Sequence, residues 1–202
     1  MKLYFAPGAC SMSPHIALQE SGLPYTTEKV DLRAKKTASG ADYLEINPKG
    51  YVPALVLDNG EMLTEGPAIV QYIADQAKDK QLRPAAGTAE HYHLLEWLNF
   101  ISAEIHKGFG PLFNPDSTED AKAQALANLS KRFGQADKLL DGRDYLVGNK
   151  FSVADGYLFT ILNWTKKTGP DLAGMPNLQA FQARIGARPA VQQVMRDEGL
   201  LG

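Results

Sequence analysis

Cys10 is the only cysteine among 202 residues, and it stands where a thiol is easily made reactive. The segment PGACS follows a short apolar run, Leu3 to Phe5, and precedes a helical pattern from Ser11 to Ser21. That spacing predicts a loop between a strand end and the N-terminus of a helix. Free amides and the helix dipole favour negative charge there, which draws a thiol with an ordinary pKa of about 8.5 toward thiolate. A lone cysteine is otherwise a small buried hydrophobe, and the position of Cys10 argues against that bland role. A single cysteine excludes an intrachain disulfide, a CxxC pair and a multi-cysteine zinc site. His15, His91 and His93 form no cluster with it, so no metal is expected.

Two further segments carry groups suited to holding a small peptide. Asn47 to Ala54, NPKGYVPA, leads into a strand, and Pro53 cannot donate to a ladder. A cis Val52-Pro53 bond would present the Val52 amide and carbonyl as a two-point clamp for another backbone. An ordinary trans proline at the strand start fits the sequence equally well. Thr64-Glu65-Gly66-Pro67 is a strand-to-helix junction. Glu65 could pair with an ammonium, and the Gly66 amide at the helix start could take a carboxylate. Asn99, Ser102, Ala103 and His106 fall on one face of a helix expected from Ala89 to Lys107, opposite an aliphatic stripe.

The elements that must position these groups change character along the chain. Up to residue 80 the order is βαβ and then ββα, on one small mixed sheet. Tyr25 to Leu32 reads as a strand, and Asp58-Asn59-Gly60 joins strands Ala54 to Leu57 and Glu61 to Thr64 into a hairpin. Pro67 to Ala77 is helical. Residues 81–87 read as a linker, and 88–202 as an all-helical domain. There Leu94, Leu98, Ile101 and Ile105 form a stripe of period 3.6, and Gly108, Gly110 and Pro111 are expected to end their helix. Thr118 to Leu140 is a second helix. Ser152 to Asp155 is a capping box before YLFTIL, and Met175-Pro176 and Arg188-Pro189 start two closing helices.

Apolar residues are 44% of the chain and charged residues 22%, enough apolar surface for a packed core. Lys plus Arg number 21 against 23 Asp plus Glu, so no basic surplus exists to neutralise phosphates, and nucleic acid is not an expected partner. No stretch approaches the apolar length of about 20 residues that a membrane span needs. The opening residues lack a signal-peptide pattern, so a reducing cytoplasm is the expected setting.

Taken together, PGACS, NPKGYVPAL, LTEGPAIVQYIAD, WLNFISAEIHKGF and FSVADGYLF, in this order over essentially the whole chain, resemble the cytosolic glutathione transferases. The likeness is greatest to their bacterial, cysteine-containing beta class. It implies a thioredoxin-like N-terminal domain, an all-α C-terminal domain and a twofold homodimer. It also implies that Val52, beside Pro53, pairs with the cysteinyl backbone of glutathione, that Glu65 and Gly66 hold the γ-glutamyl end, and that Lys35 binds the glycine carboxylate. Asn99, Ala103, Glu104, Ile105 and His106 correspond to the second-domain lining, with Lys107 adding positive charge and Cys10 and His106 nearest the sulfur. One departure is Gly66, where many relatives carry a serine whose hydroxyl would reach the γ-glutamyl carboxylate.

The implied reaction is conjugation of the glutathione thiol, as co-substrate, to hydrophobic electrophiles, a detoxifying activity. Donors near Cys10, namely its own S–H, Ser11 and His106, would hold the sulfur as an anion beside the electrophile. Tyr51, Phe109, Phe113 and Trp164 are candidates for the electrophile pocket. A second reading gives Cys10 the chemical role, through a mixed disulfide with glutathione in thiol exchange, peroxide reduction or reductive dehalogenation. A third is a non-enzymatic carrier of apolar ligands.

Overall fold

The computed structural model describes residues 1–201, which fall into two compact units. The first comprises Met1–Leu82 together with the segment from Arg188 onward, and the second Arg83–Ala187. The single helical domain expected over 88–202 is therefore divided. Its last helix carries Val191, Val194 and Met195 on one buried face, and that face packs on the first helix of the chain. An amphipathic period announces such a face without saying what covers it.

In the first unit, β1 (Lys2–Phe5), α1 (Met12–Ser21), β2 (Thr26–Asp31), β3 (Lys36–Thr37), α2 (Tyr43–Ile46), β4 (Ala54–Val56), β5 (Met62–Thr64) and α3 (Gly66–Gln76) follow in order. The five strands form one sheet in the order β3-β2-β1-β4-β5. β1 is parallel to β2 with Leu3 opposite Thr27, and antiparallel to β4 with Leu3 opposite Leu55. The hairpin between β4 and β5 closes on Leu57 and Glu61, with Gly60 in a positive-φ conformation that suits glycine. A mixed sheet with its βαβ and ββα halves is the thioredoxin-like arrangement read from the sequence.

Central β1 is buried at Leu3, Tyr4 and Phe5, as a strand covered on both faces must be. Tyr4, Val30, Tyr43, Val52 and Ala54 form one core cluster. α1 is buried along most of its length and packs on α3 and on α9 (Pro189–Asp197). Strand β3 and helix α2 are too short to leave a periodic trace, and the sequence reading did not anticipate them. Asp42 starts α2 by accepting the Leu44 amide at 2.8 Å.

The second unit is helical, comprising α4 (Ala89–Phe100), α5 (Gly110–Phe113), α6 (Glu119–Leu139), α7 (Val153–Leu162) and α8 (Pro176–Gly186). Between α4 and α5 the chain stays helical but changes pitch, with a π-helical stretch at Ile101–His106 and a 3₁₀ turn at Lys107–Phe109. The expected stop at Gly108, Gly110 and Pro111 does not occur. Pro111 lies in the first turn of α5, where its missing N–H costs no helical bond. Gly108 instead serves packing, because a Cβ there would lie 2.9 Å from Leu129 Cδ2 on α6. α7 is buried all round and forms the centre of the unit. No helix among the described residues is long and apolar enough to cross a membrane.

Candidate functional site

Cys10 lies in the loop from β1 to α1, and its thiol donates to the Val52 carbonyl at 3.3 Å. The Val52–Pro53 bond is cis. Upstream, the Tyr51 carbonyl is held by the Tyr43 hydroxyl at 3.0 Å and the Asn47 side-chain amide at 2.9 Å. These bonds tie the 47–53 segment to α2, so the partner of the thiol is a well-supported backbone group. A carbonyl has two lone pairs, so Val52 can accept a ligand amide whether or not the Cys10 thiol remains on it.

Ser11 occupies the N-cap position of α1 without capping it. Its hydroxyl accepts the Ala6 amide at 3.1 Å and donates to the Ala6 carbonyl at 3.3 Å. The serine thus closes the loop carrying Cys10 instead of capping the helix, and the residue is fully buried. A second clasp on the loop comes from the chain's end. Glu198 accepts the Gly8 amide at 2.8 Å on Oε2 and the His15 Nδ1–H at 2.8 Å on Oε1. The two side chains of that pair are only 2% and 0% exposed. Their partners lie more than 180 positions apart, so no local signal could have assigned His15 this role.

At the junction of β5 and α3, Glu65 has φ 73°. Lys35, beside β3, has φ 54°, and these are two of only three non-glycine residues with positive φ among the described residues. Both are residues that the family resemblance implies in ligand contact, and sparsely populated backbone at such positions marks sites that the surrounding fold holds in place. Lys35 Nζ donates to the Gly50 carbonyl at 2.6 Å. Glu65 does not cap α3, which leaves the Gly66 amide at the start of an 11-residue helix without a side-chain cap. Instead Glu65 accepts the Tyr51 hydroxyl at 2.8 Å, with Lys49 Nζ at 3.6 Å. One edge of this unit therefore gathers a thiol, a carbonyl, a carboxylate, an ammonium and a helix start. That set matches the termini and backbone of a small zwitterionic peptide.

In the second unit, His106 Nδ1 shares a 2.7 Å hydrogen bond with the buried Tyr157 hydroxyl on α7. The Trp164 ring lies 5.0 Å from the His106 ring, and Trp164 also meets Phe109 at 5.2 Å and Phe113 at 5.0 Å. Three of the aromatic residues named from the sequence are thus assembled beside the histidine, whereas Tyr51 is engaged with Glu65. Tyr157 was missed because an aromatic inside an apolar run reads as core.

The remaining sequence candidates are distributed unevenly. The Asn99 side chain donates to the Leu95 carbonyl at 2.8 Å, and Ala103 and Lys107 are exposed. Glu104 pairs with Arg132 of α6 at 2.7 Å. Ile105 is fully buried, so its side chain belongs to the core. No cluster of three metal-binding side chains forms among the described residues.

Comparison with known proteins matches residues 8–76 to the family described as glutathione S-transferase, N-terminal domain, and residues 100–189 to glutathione S-transferase, C-terminal domain. The chain is 45% identical over 200 residues to glutathione S-transferase GstA of Escherichia coli O157:H7, covering 99% of this chain and 100% of that one. Among solved structures it is similar to a ternary complex of BphK, a bacterial glutathione S-transferase. That match has a TM-score of 0.97 and 58% identity over 99% of this chain and 100% of the other. A sphingomonad glutathione S-transferase complexed with glutathione matches with a TM-score of 0.96 and 49% identity over the full length of both chains.

Proposed function

The chain belongs to the glutathione S-transferase family, and from that premise we propose that it joins the thiol of glutathione to hydrophobic electrophiles as a detoxifying homodimer of the reducing cytoplasm. It is a transferase with glutathione as co-substrate. The observation that carries the reading is the combination, in the first unit, of the Cys10 thiol on the Val52 carbonyl with Glu65 and the start of α3. In the proposed complex Val52 pairs with the cysteinyl backbone, Glu65 with the α-ammonium, the Gly66 amide with the γ-glutamyl carboxylate and Lys35 with the glycine carboxylate. The Cys10 S–H, a donor to a carbonyl in the free protein, turns to the sulfur as an auxiliary donor.

With an aryl halide, the carbon–sulfur bond forms as the carbon–halogen bond breaks. Halide leaves with the electron pair, and the thiol proton passes to solvent. Proximity of the held thiolate to the electrophile supplies much of the rate. The aromatic cluster of Phe109, Phe113 and Trp164 is the proposed electrophile surface, because Phe113 combines exposure with stacking on buried Phe109.

A groove of about 910 Å³ between α4 and α6 supports the homodimer. Glu90, Glu96 and Glu104 line it together with Arg132, Lys138 and Arg143, Glu104 being paired with Arg132 within the chain, and Leu139 is 57% exposed. Acidic and basic side chains exposed in one groove can pair with those of a second copy under a twofold axis. Initial rates across aryl halides, epoxides and activated alkenes, run on protein whose mass in solution is read by light scattering, test the proposal. Turnover that saturates in glutathione, by a species of twice the 22.0 kDa chain mass, is expected. Failure across the whole panel contradicts the reaction, and a monomer at micromolar concentration contradicts the assembly.

A further inference from the structure

Glu65 alone turns the chain from β5 into α3, and its side chain is not spent on that turn. Both of its contacts come from the segment before the cis bond. The Tyr51 hydroxyl donates to Oε1 at 2.8 Å, and Lys49 Nζ stands 3.6 Å from the same oxygen. Lys49 also donates to Thr64 Oγ1 at 2.8 Å and lies 5.9 Å from the centre of the Tyr51 ring. Oε2 makes no bond among the described residues. A carboxylate on a three-bond side chain, 60% exposed, would otherwise sample many rotamers.

We propose that Tyr51 is a positioning residue for amino-group recognition, its hydroxyl fixing the Glu65 carboxylate so that Oε2 meets the α-ammonium of the γ-glutamyl moiety. The proposal rests on the glutathione reading above. The phenol is better suited to this than Lys49 for two reasons. It donates a hydrogen bond without adding positive charge, so it reduces the attraction of the carboxylate for a cationic ligand less than a cation would. Its ring is also stiff, with two side-chain torsions, whereas the Lys49–Glu65 pair is solvent-screened at 50% and 60% exposure and holds no geometry well. Gly66 sharpens the need. Without a hydroxyl at that position, Glu65 is the one charged side chain of the junction, and its orientation bears directly on affinity for the γ-glutamyl end.

Tyr51→Phe removes the hydroxyl and keeps the ring, at a residue 41% exposed. Calorimetric titration of both proteins uses glutathione and its deaminated analogue, glutaryl-cysteinyl-glycine, which lacks only the α-amino group. The variant is expected to bind glutathione about threefold to tenfold more weakly, the effect of one hydrogen bond. The analogue is expected to bind both proteins equally. Unchanged glutathione affinity in the variant overturns the proposal, and so does an equal loss for both ligands, which would make Tyr51 a general support of the loop. If wild-type protein takes up neither ligand, the glutathione reading itself fails, a result distinct from either of these.

Discussion

At the scale of single residues, the chemistry of the proposed site depends on which hydrogen bonds are already made before a ligand arrives. Cys10 donates to a carbonyl, Lys35 to a carbonyl and Tyr51 to Glu65. Gly66 makes the opposite case, since a side chain is missing where one could stand. Its φ is not in the positive region, and a Cβ built there meets nothing within 4 Å. Gly66→Ser is therefore expected to fold normally and to tighten glutathione binding by about threefold to tenfold, the worth of one added hydrogen bond. Calorimetry that shows weaker binding would mean that the γ-glutamyl carboxylate does not approach this helix start. The loop position of Cys10 and the junction position of Glu65 and Gly66 were legible in the sequence, because each sits beside a turn signal. The Tyr51 hydroxyl was not. Its partner is 14 residues away, and they meet only because β4 and β5 fold back as a hairpin.

At the scale of elements, the long helices and the hairpin followed their sequence signals closely, and the capping box of α7 shows why. Asp155 is fully buried, yet it accepts the Leu146 amide at 2.8 Å on Oδ1, and the Ser152 amide at 2.7 Å and hydroxyl at 2.8 Å on Oδ2. Burial raises its pKa to about 6, against the hydrogen bonds that favour the anion. In the unfolded chain the group titrates near the ordinary carboxylate value of about 3.9. The folded state thus binds more protons between those values. The contribution of this group to stability is fully present below the unfolded value and is lost as pH rises through about 6. Asp155→Asn puts an amide NH₂ against a donor and leaves a buried amide unpaired, so denaturant unfolding at neutral pH should show a loss of about 1–3 kcal/mol. The variant should also lose the dependence on pH that Asp155 supplies. Equal stability of the two proteins at neutral pH would show that the box does not hold this helix. Elements without such signals were not legible. β3 and α2 are two and four residues long, and the π-helical stretch at Ile101–His106 arises inside a pattern that reads as ordinary helix. Such stretches often accompany functional residues, and this one ends at His106.

For the whole molecule, chain order and spatial grouping diverge. The segment from Arg188 onward belongs with the N-terminal unit, where Arg188 forms a two-pronged pair with Glu20 at 2.6 and 2.9 Å and Glu198 clasps the loop of Cys10. A reader of periodicity sees an amphipathic last helix and assigns it to its neighbours in sequence, because nothing local encodes a partner so distant. The central claim is that this protein holds the sulfur of glutathione as an anion at neutral pH. Ultraviolet difference spectroscopy tests it most directly, by titrating glutathione into the protein and subtracting the spectra of each alone. A thiolate band that saturates at one glutathione per chain is the predicted result. Strictly additive spectra, at ligand concentrations where calorimetry shows the site full, would contradict it.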